Sequence, residues 1–221
     1  MSCVQCIGIE EMFDGKRAAA ELVRFRRHGP TKTSRLLVES IAGQGVSGRT
    51  LLDIGGGLGA VQLGLLSAGV SKAVDVDASA AYLQAAKEEA GRRGLAGRIR
   101  HLHGNFVDLA GELEPADIVT LDRVICCYDD AGSLLESSAA KARHLLGLVY
   151  PIDTRWMKIG LAMLNWLLRA LHKHFRTFLH PSSQVEAIVR SHGFQKSAYL
   201  RRGIWQVVVY AKANRSVGAE A

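Results

Sequence analysis

Apolar residues recur at helical spacing over residues 10–25, and Gly29-Pro30 breaks that pattern. A second helical stretch starts near Thr31 and runs through Leu36, Leu37 and Ile41 to a glycine-rich turn at 43–48. Short apolar runs then alternate with amphipathic ones. Strands are predicted at 50–54, 72–76, 99–103, 118–121 and 147–150, with helices at 58–68, 80–93 and 134–145. After Pro151 the pattern changes to a long amphipathic helix over 156–175 and a short one over 185–191. Two final strands, 194–200 and 204–211, are joined by Arg201-Arg202-Gly203 and read as an antiparallel pair. Alternating strands and helices predict an α/β fold: a doubly wound, mostly parallel seven-stranded sheet of Rossmann-like type, covered on both faces. The expected layout is one domain over 1–221. It has a helical N-terminal segment (1–48), an α/β core (49–211) carrying a helical insertion after the fifth strand (155–192), and a frayed tail (212–221).

Length and composition support a single globular domain. The 221 residues suffice for one sizeable core but not two, and 48% apolar with 22% charged residues argues against extended disorder. The start, Met1-Ser2-Cys3-Val4-Gln5-Cys6, lacks the charged and apolar regions of a signal peptide. The longest apolar run, 159–168, contains Asn165 and falls short of the roughly 20 residues that span a bilayer. A reducing, cytoplasmic location is therefore the expectation. The net charge of +7 gathers at 16–35, 169–180 and 190–202, away from the glycine-rich stretch at 55–59. Such patches suit anionic substrates, nucleic acid or an anionic membrane surface, or are simply solvated helix faces. No metal site is expected. Cys3 and Cys6 form a lone C-x-x-C that leaves a redox role or a frayed terminus open, and Cys126-Cys127 are adjacent, a spacing that rarely holds one metal.

The chemistry centres on Asp53-Ile54-Gly55-Gly56-Gly57-Leu58-Gly59, which follows a strand and precedes a helix. Glycines at alternate positions let the backbone approach a ligand closely, and the helix start offers free N–H groups. With Ala60 the run also satisfies the relaxed dinucleotide fingerprint, so the glycines alone do not choose a ligand. Asp53 shifts the balance. A carboxylate two residues before the first glycine repels a pyrophosphate and suits the ammonium of an amino-acid ligand. Asp77 ends the second strand and is placed to accept from both hydroxyls of a ribose.

The run at 53–59, Asp77 and His103-Gly104-Asn105-Phe106 together resemble the successive motifs of class I S-adenosylmethionine-dependent methyltransferases. That resemblance implies S-adenosylmethionine as cofactor and the N-terminal helices as a cofactor-covering cap. It implies cofactor contacts from Asp53, Gly55, Gly56, Gly57, Gly59, Asp77, Ala78, Asn105, Phe106 and Asp122. Asn105 stands where the family commonly has Asp, yet its carbonyl oxygen can still accept from the adenine amine. Within the class, Leu121-Asp122-Arg123-Val124-Ile125-Cys126-Cys127-Tyr128, Arg176-Thr177-Phe178-Leu179-His180 and Arg202-Gly203-Ile204 resemble magnesium-protoporphyrin O-methyltransferases, which methylate a propionate carboxylate.

Residues 122–128 lie beyond the fourth strand, where doubly wound sheets bind ligands. A small-molecule acceptor is expected there. A carboxylate acceptor needs no base and Arg123 or Arg155 would orient it. A hydroxyl acceptor needs one, with His180 as first and Tyr128 as second candidate. Trp156, Met157, Met163 and Trp166 are expected to wall the acceptor pocket, with Arg155, Arg169 and Lys173 ready to meet a carboxylate or an anionic surface. The same segment also reads as a dimer partner or a weak peripheral membrane contact, so monomer and homodimer both stay open. Other readings are an RNA- or DNA-modifying methyltransferase, a non-catalytic S-adenosylmethionine-binding protein and an NAD-binding oxidoreductase. The nucleic-acid reading is weakened by 6% aromatic content and by Asp122-Arg123-Val124 standing where amino-directed enzymes carry a Pro-Pro signature.

Overall fold

The computed structural model describes residues 4–213. Cys3 and the side chain of Cys6, for which a redox role was left open above, and the expected frayed tail from 214 onward lie outside the described part.

Seven strands form one sheet in the order β3-β2-β1-β4-β5-β7-β6. They are β1 (Thr50–Ile54), β2 (Lys72–Asp77), β3 (Ile99–His103), β4 (Ala116–Asp122), β5 (Ala142–Pro151), β6 (Phe194–Arg202) and β7 (Trp205–Lys212). Only β7 runs against its neighbours β5 and β6, so the terminal hairpin supplies the one reversed strand, as the sequence predicts. The chain reverses its order between β1 and β4, which makes that junction the switch point of the sheet.

The helices are α1 (Val4–Met12), α2 (Gly15–His28), α3 (Lys32–Ala42), α4 (Ala60–Ser67), α5 (Ala80–Arg92), α6 (Phe106–Leu109), α7 (Ala131–Lys141), α8 (Arg155–Ala170) and α9 (Ser182–Ser191). Asp14, Thr31, Ser79, Asp130 and Thr154 cap the starts of α2, α3, α5, α7 and α8 by accepting a backbone N–H. Two buried apolar layers flank the sheet. Leu52, Val119, Leu146 and Tyr210 face α7 and α9, while Leu51, Ile118, Val149 and Val209 face α2 to α5. In this second layer α3 lies directly on the sheet. A Cβ on Gly147 would sit 2.7 Å from Ile41 and 2.8 Å from Leu37, so the glycine in β5 makes room for that helix. Helices α2 and α3 are thus part of the core.

The single helix read over 10–25 is split at Phe13-Asp14 into α1 and α2, with Asp14 capping the second, and two further boundaries differ from the sequence reading. The predicted helix over 134–145 ends at Lys141, and β5 begins at once with Ala142. Ala139, Ala142 and Leu145 satisfy helical spacing, but a register shift between Ala116 and Ile118 of β4 absorbs an irregular start to β5. The helix predicted over 156–175 stops at Ala170 because His172 turns left-handed (φ 53°). Lys173 N–H then bonds Leu168 O and His172 N–H bonds Arg169 O, the paired bonds of a Schellman stop.

Candidate active site

The carboxyl ends of β1, β2 and β4 converge on the glycine loop. Gly55, Gly57 and Gly59 have φ of 63°, 57° and 80°, a region that residues with a Cβ rarely enter. Gly56 is required for a different reason. A Cβ there would lie 2.4 Å from Asp75 Oδ1 and 3.0 Å from Asp53 Oδ2, because the loop passes directly over two carboxylates.

These carboxylates belong to a polar row through the apolar sheet. In register, Thr120 of β4 pairs with Asp53 of β1, Asp53 with Asp75 of β2, and Asp75 with His101 of β3. Asp53 Oδ1 accepts from Thr120 Oγ1 at 2.7 Å. Asp75 Oδ2 accepts from Gln62 Nε2 at 3.0 Å and faces His101 Nδ1 at 2.8 Å. Asp53 Oδ2, Asp75 Oδ1 and Gln62 Oε1 have no hydrogen-bond partner among the described residues, although all are buried. Burial first, and the neighbouring Asp75 second, push the Asp53 carboxyl well above the usual carboxylate range. Two buried carboxylates with unsatisfied oxygens beneath one loop are a place for a cationic donor, not for a phosphate.

Asp77 closes the next side. Its Oδ2 accepts from Gly57 N–H at 2.9 Å and its Oδ1 from Ser79 N–H at 2.8 Å, tying the loop to the start of α5. Burial raises its carboxyl to about 6 against these two bonds. Each oxygen keeps one further acceptor direction. Ala78 is half-buried beside it and accepts from His103 Nε2 at 3.2 Å through its carbonyl. Phe13 lies over this rim, edge-on to Tyr82 at 5.5 Å and to Phe175 at 5.7 Å, and its carbonyl accepts from Ser79 Oγ.

Beyond β3, Asn105 Oδ1 accepts from Tyr128 Oη at 2.6 Å and from Val107 N–H at 3.4 Å, so the oxygen expected to meet an adenine amine is already engaged. Phe106 is buried in the core beside this turn. At the end of β4, Asp122 Oδ1 pairs with Arg123 Nε at 3.2 Å and Oδ2 accepts from Ser34 Oγ of α3. Arg123 itself is left-handed (φ 64°), a strained conformation for a residue with a long side chain. Its carbonyl accepts from both Cys126 and Cys127 thiols, which places the two cysteines in the turn after β4. His180 Nε2 donates to the Tyr128 carbonyl at 2.8 Å, which leaves Nδ1 with the free lone pair of the neutral ring.

The structure therefore gathers Asp53, the glycines, Asp77 and Asp122 around one strand-end cleft, and links Asn105, Tyr128 and His180 by a chain of hydrogen bonds. It separates Trp156, Met163 and Trp166 from that cleft: all three are exposed on the outer side of α8, and only Met157 of the expected wall turns inward. Asp75, Gln62, His101, Thr120 and Ser34 were not singled out by sequence. For Asp75 the signal was present, since alternation along β2 puts it on the same side as Asp77.

Residues 52–142 match the methyltransferase domain family. The ribosomal protein L11 methyltransferase of Edwardsiella ictaluri (strain 93-146) is 27% identical over 121 residues. The match covers 52% of this chain, and the chain spans only 41% of that relative. Among solved structures, an O-methyltransferase family protein from Burkholderia thailandensis superposes with a TM-score of 0.71 at 20% identity, over 93% of this chain and 63% of that one. The magnesium protoporphyrin IX methyltransferase of Synechocystis PCC 6803 with bound SAH gives a TM-score of 0.65 at 16% identity, over 82% of each chain. Residues 52–142 thus match a methyltransferase domain, and the chain has the Rossmann-like fold of S-adenosylmethionine-dependent methyltransferases, as the motif resemblance implies.

Proposed function

We propose that this chain is an S-adenosylmethionine-dependent methyltransferase acting on a small-molecule acceptor, at a carboxylate or hydroxyl oxygen. The observation that carries the reading is the unpartnered, buried Asp53 Oδ2 directly under Gly56. A cationic ammonium, held directly or through water, satisfies that oxygen, whereas a dinucleotide pyrophosphate would add negative charge beside it. The backbone of 55–59 would hold the methionine part and Asp77 the ribose, with Ala78, Asn105 and Phe106 on the adenine side and Asp122 near the methyl end.

When bound, the cofactor supplies a methyl group already activated by its sulfonium charge. The work left to the chain is alignment of the acceptor and exclusion of water. Arg123 orients an acceptor carboxylate, a choice supported by its position beyond β4 and by the fold shared with the magnesium protoporphyrin enzyme. For a hydroxyl acceptor His180 is the better base through Nδ1, because the Tyr128 hydroxyl already donates to Asn105.

Calorimetry with S-adenosylmethionine and with NAD tests the reading. Binding of the former and not the latter is expected, and Asp53→Asn is expected to weaken it about tenfold or more. Binding of NAD with none of S-adenosylmethionine would overturn the assignment. Transfer of a labelled methyl group to candidate carboxylate and hydroxyl acceptors then identifies the substrate class.

A further inference from the structure

Helix α8 turns its apolar side to water. Trp156 is 82% exposed, Trp166 71% and Met163 66%, with Ile159, Leu164 and Leu167 also exposed. The inward side is the narrower set Met157, Leu161, Asn165 and Leu168. At about 100° per residue the exposed apolar side chains form one continuous stripe, and Arg155, Lys158 and Arg169 lie along one edge of it. Residues 154–185 contain Arg155, Lys158, Arg169, Lys173 and Arg176 but no Asp or Glu.

The charge pattern selects the occupant of this face. A second copy packed antiparallel on this face would set two cationic edges side by side, and α8 itself holds no carboxylate to offset them. A spanning role does not apply, since no helix among the described residues is long and apolar enough to cross a membrane. An anionic bilayer surface meets both features, taking tryptophans at headgroup depth and cations against acidic lipid. We propose that α8 seats the protein on an anionic membrane surface, with its tryptophan stripe in the interface.

The inner side of the same helix is tied to the candidate site. Asn165 Nδ2 donates to Thr177 O at 2.7 Å, and Thr177 N–H donates back to Asn165 Oδ1 at 3.0 Å. Thr177 Oγ1 and Phe178 N–H both donate to Cys126 O, in the turn that follows Arg123. Docking through α8 therefore sets the end of β4 close to the lipid surface. The inference stands apart from the methyl-transfer reading, because its test needs neither cofactor nor acceptor.

The test is co-sedimentation of the full chain with phosphatidylcholine vesicles, with and without phosphatidylglycerol, read together with tryptophan fluorescence. Binding is expected only with the anionic lipid, weakening with salt, and accompanied by a blue shift and protection from iodide quenching. Lys158→Glu with Arg169→Glu should lower partitioning by about tenfold or more. Trp156→Ser with Trp166→Ser should abolish it while leaving the melting temperature near that of the parent, as both side chains lie in solvent. Fluorescence protection of the parent protein decides the matter without any variant. The proposal is overturned if anionic vesicles do not bind at low salt, or if binding leaves the tryptophans open to quencher. It is equally overturned if sedimentation velocity shows a dimer that the double tryptophan variant dissociates.

Discussion

Replacing Gly56 by alanine isolates the close approach of the loop to the carboxylates from every other role of its glycines. Unlike Gly55, Gly57 and Gly59, Gly56 does not have a positive φ, so alanine brings no backbone penalty of that kind. The new Cβ would lie 2.4 Å from Asp75 Oδ1, about 1 Å inside the 3.4 Å at which ordinary contact begins. Asp75 is poorly placed to yield. It is fully buried, its other oxygen is held by Gln62 and His101, and its backbone lies between β1 and β3. The loop must lift instead. Overpacking of this kind costs about 1–3 kcal/mol, and for a chain of this size each kcal/mol moves the melting temperature by about 2–4 °C. A fall of several degrees is expected in thermal unfolding, together with at least tenfold weaker S-adenosylmethionine binding by calorimetry, which corresponds to about 1.4 kcal/mol. Gly91→Ala in α5 is the control: its Cβ meets nothing within 4 Å, so stability should hold or rise by about 0.5–1 kcal/mol. A Gly56→Ala protein that melts and binds like the parent would refute the reasoning.

Three further outcomes follow from the same geometry. The Asp77 carboxyl, raised to about 6 from an ordinary 3.8, binds more protons in the folded state across that window, so the ligand-free protein should lose stability as pH rises through it. In its proposed role Asp77 accepts from the ribose in its ionised form, so calorimetric affinity for S-adenosylmethionine should fall as pH drops through about 6, and a flat profile would remove Asp77 from the site. Glu89 of α5 accepts from Arg26, Arg92 and Arg93 at 2.9, 2.6 and 2.8 Å, and these guanidiniums hold its carboxyl down at about 2. Its contribution is present above the ordinary 4.5 and is lost as pH falls toward 2. Glu89→Gln should cost about 1–3 kcal/mol in urea unfolding at neutral pH, and no measurable change would mean that the partly exposed arginines are screened by water. Ser34→Ala leaves Asp122 Oδ2 without its partner from α3, so a loss of about 1–3 kcal/mol is expected in the same assay. Parent-like unfolding would show that water replaces the hydroxyl.

What could be read from the chain followed the range of the interaction involved. Alternation within a few residues exposed all seven strands and the reversed terminal hairpin, and the turn chemistry of 53–59 located the cleft. The start of β5 escaped because Ala139, Ala142 and Leu145 keep helical spacing and break strand alternation, and only the irregular pairing with β4 reveals the strand. The row Thr120–Asp53–Asp75–His101 is a fact of inter-strand register, and the Ser34–Asp122 bond joins residues 88 apart, so neither leaves a local signature. For α8 the amphipathic pattern was legible but its orientation was not. The wide tryptophan side looked like a pocket wall, and Asn165 looked like an interruption of an apolar run. In the structure Asn165 anchors the inner side, and the tryptophans face out.

The site also concentrates features that cost the fold stability. Asp53 is held with its carboxyl raised and one oxygen unpaired, Asp77 has its carboxyl raised to about 6, and Arg123 sits in a left-handed conformation, all at the ends of β1, β2 and β4. Each of these lowers the stability of the ligand-free protein, and two of them are relieved by the same event, arrival of a cation and of hydroxyl donors. Binding free energy here would come partly from removing that penalty rather than from new contact alone. A ligand lacking the cation would meet the glycines equally well and still leave Asp53 buried and unsatisfied. On the proposed reading, discrimination between a sulfonium amino acid and a dinucleotide would rest on the carboxylates below the loop, with the glycines bringing the ligand within reach of them.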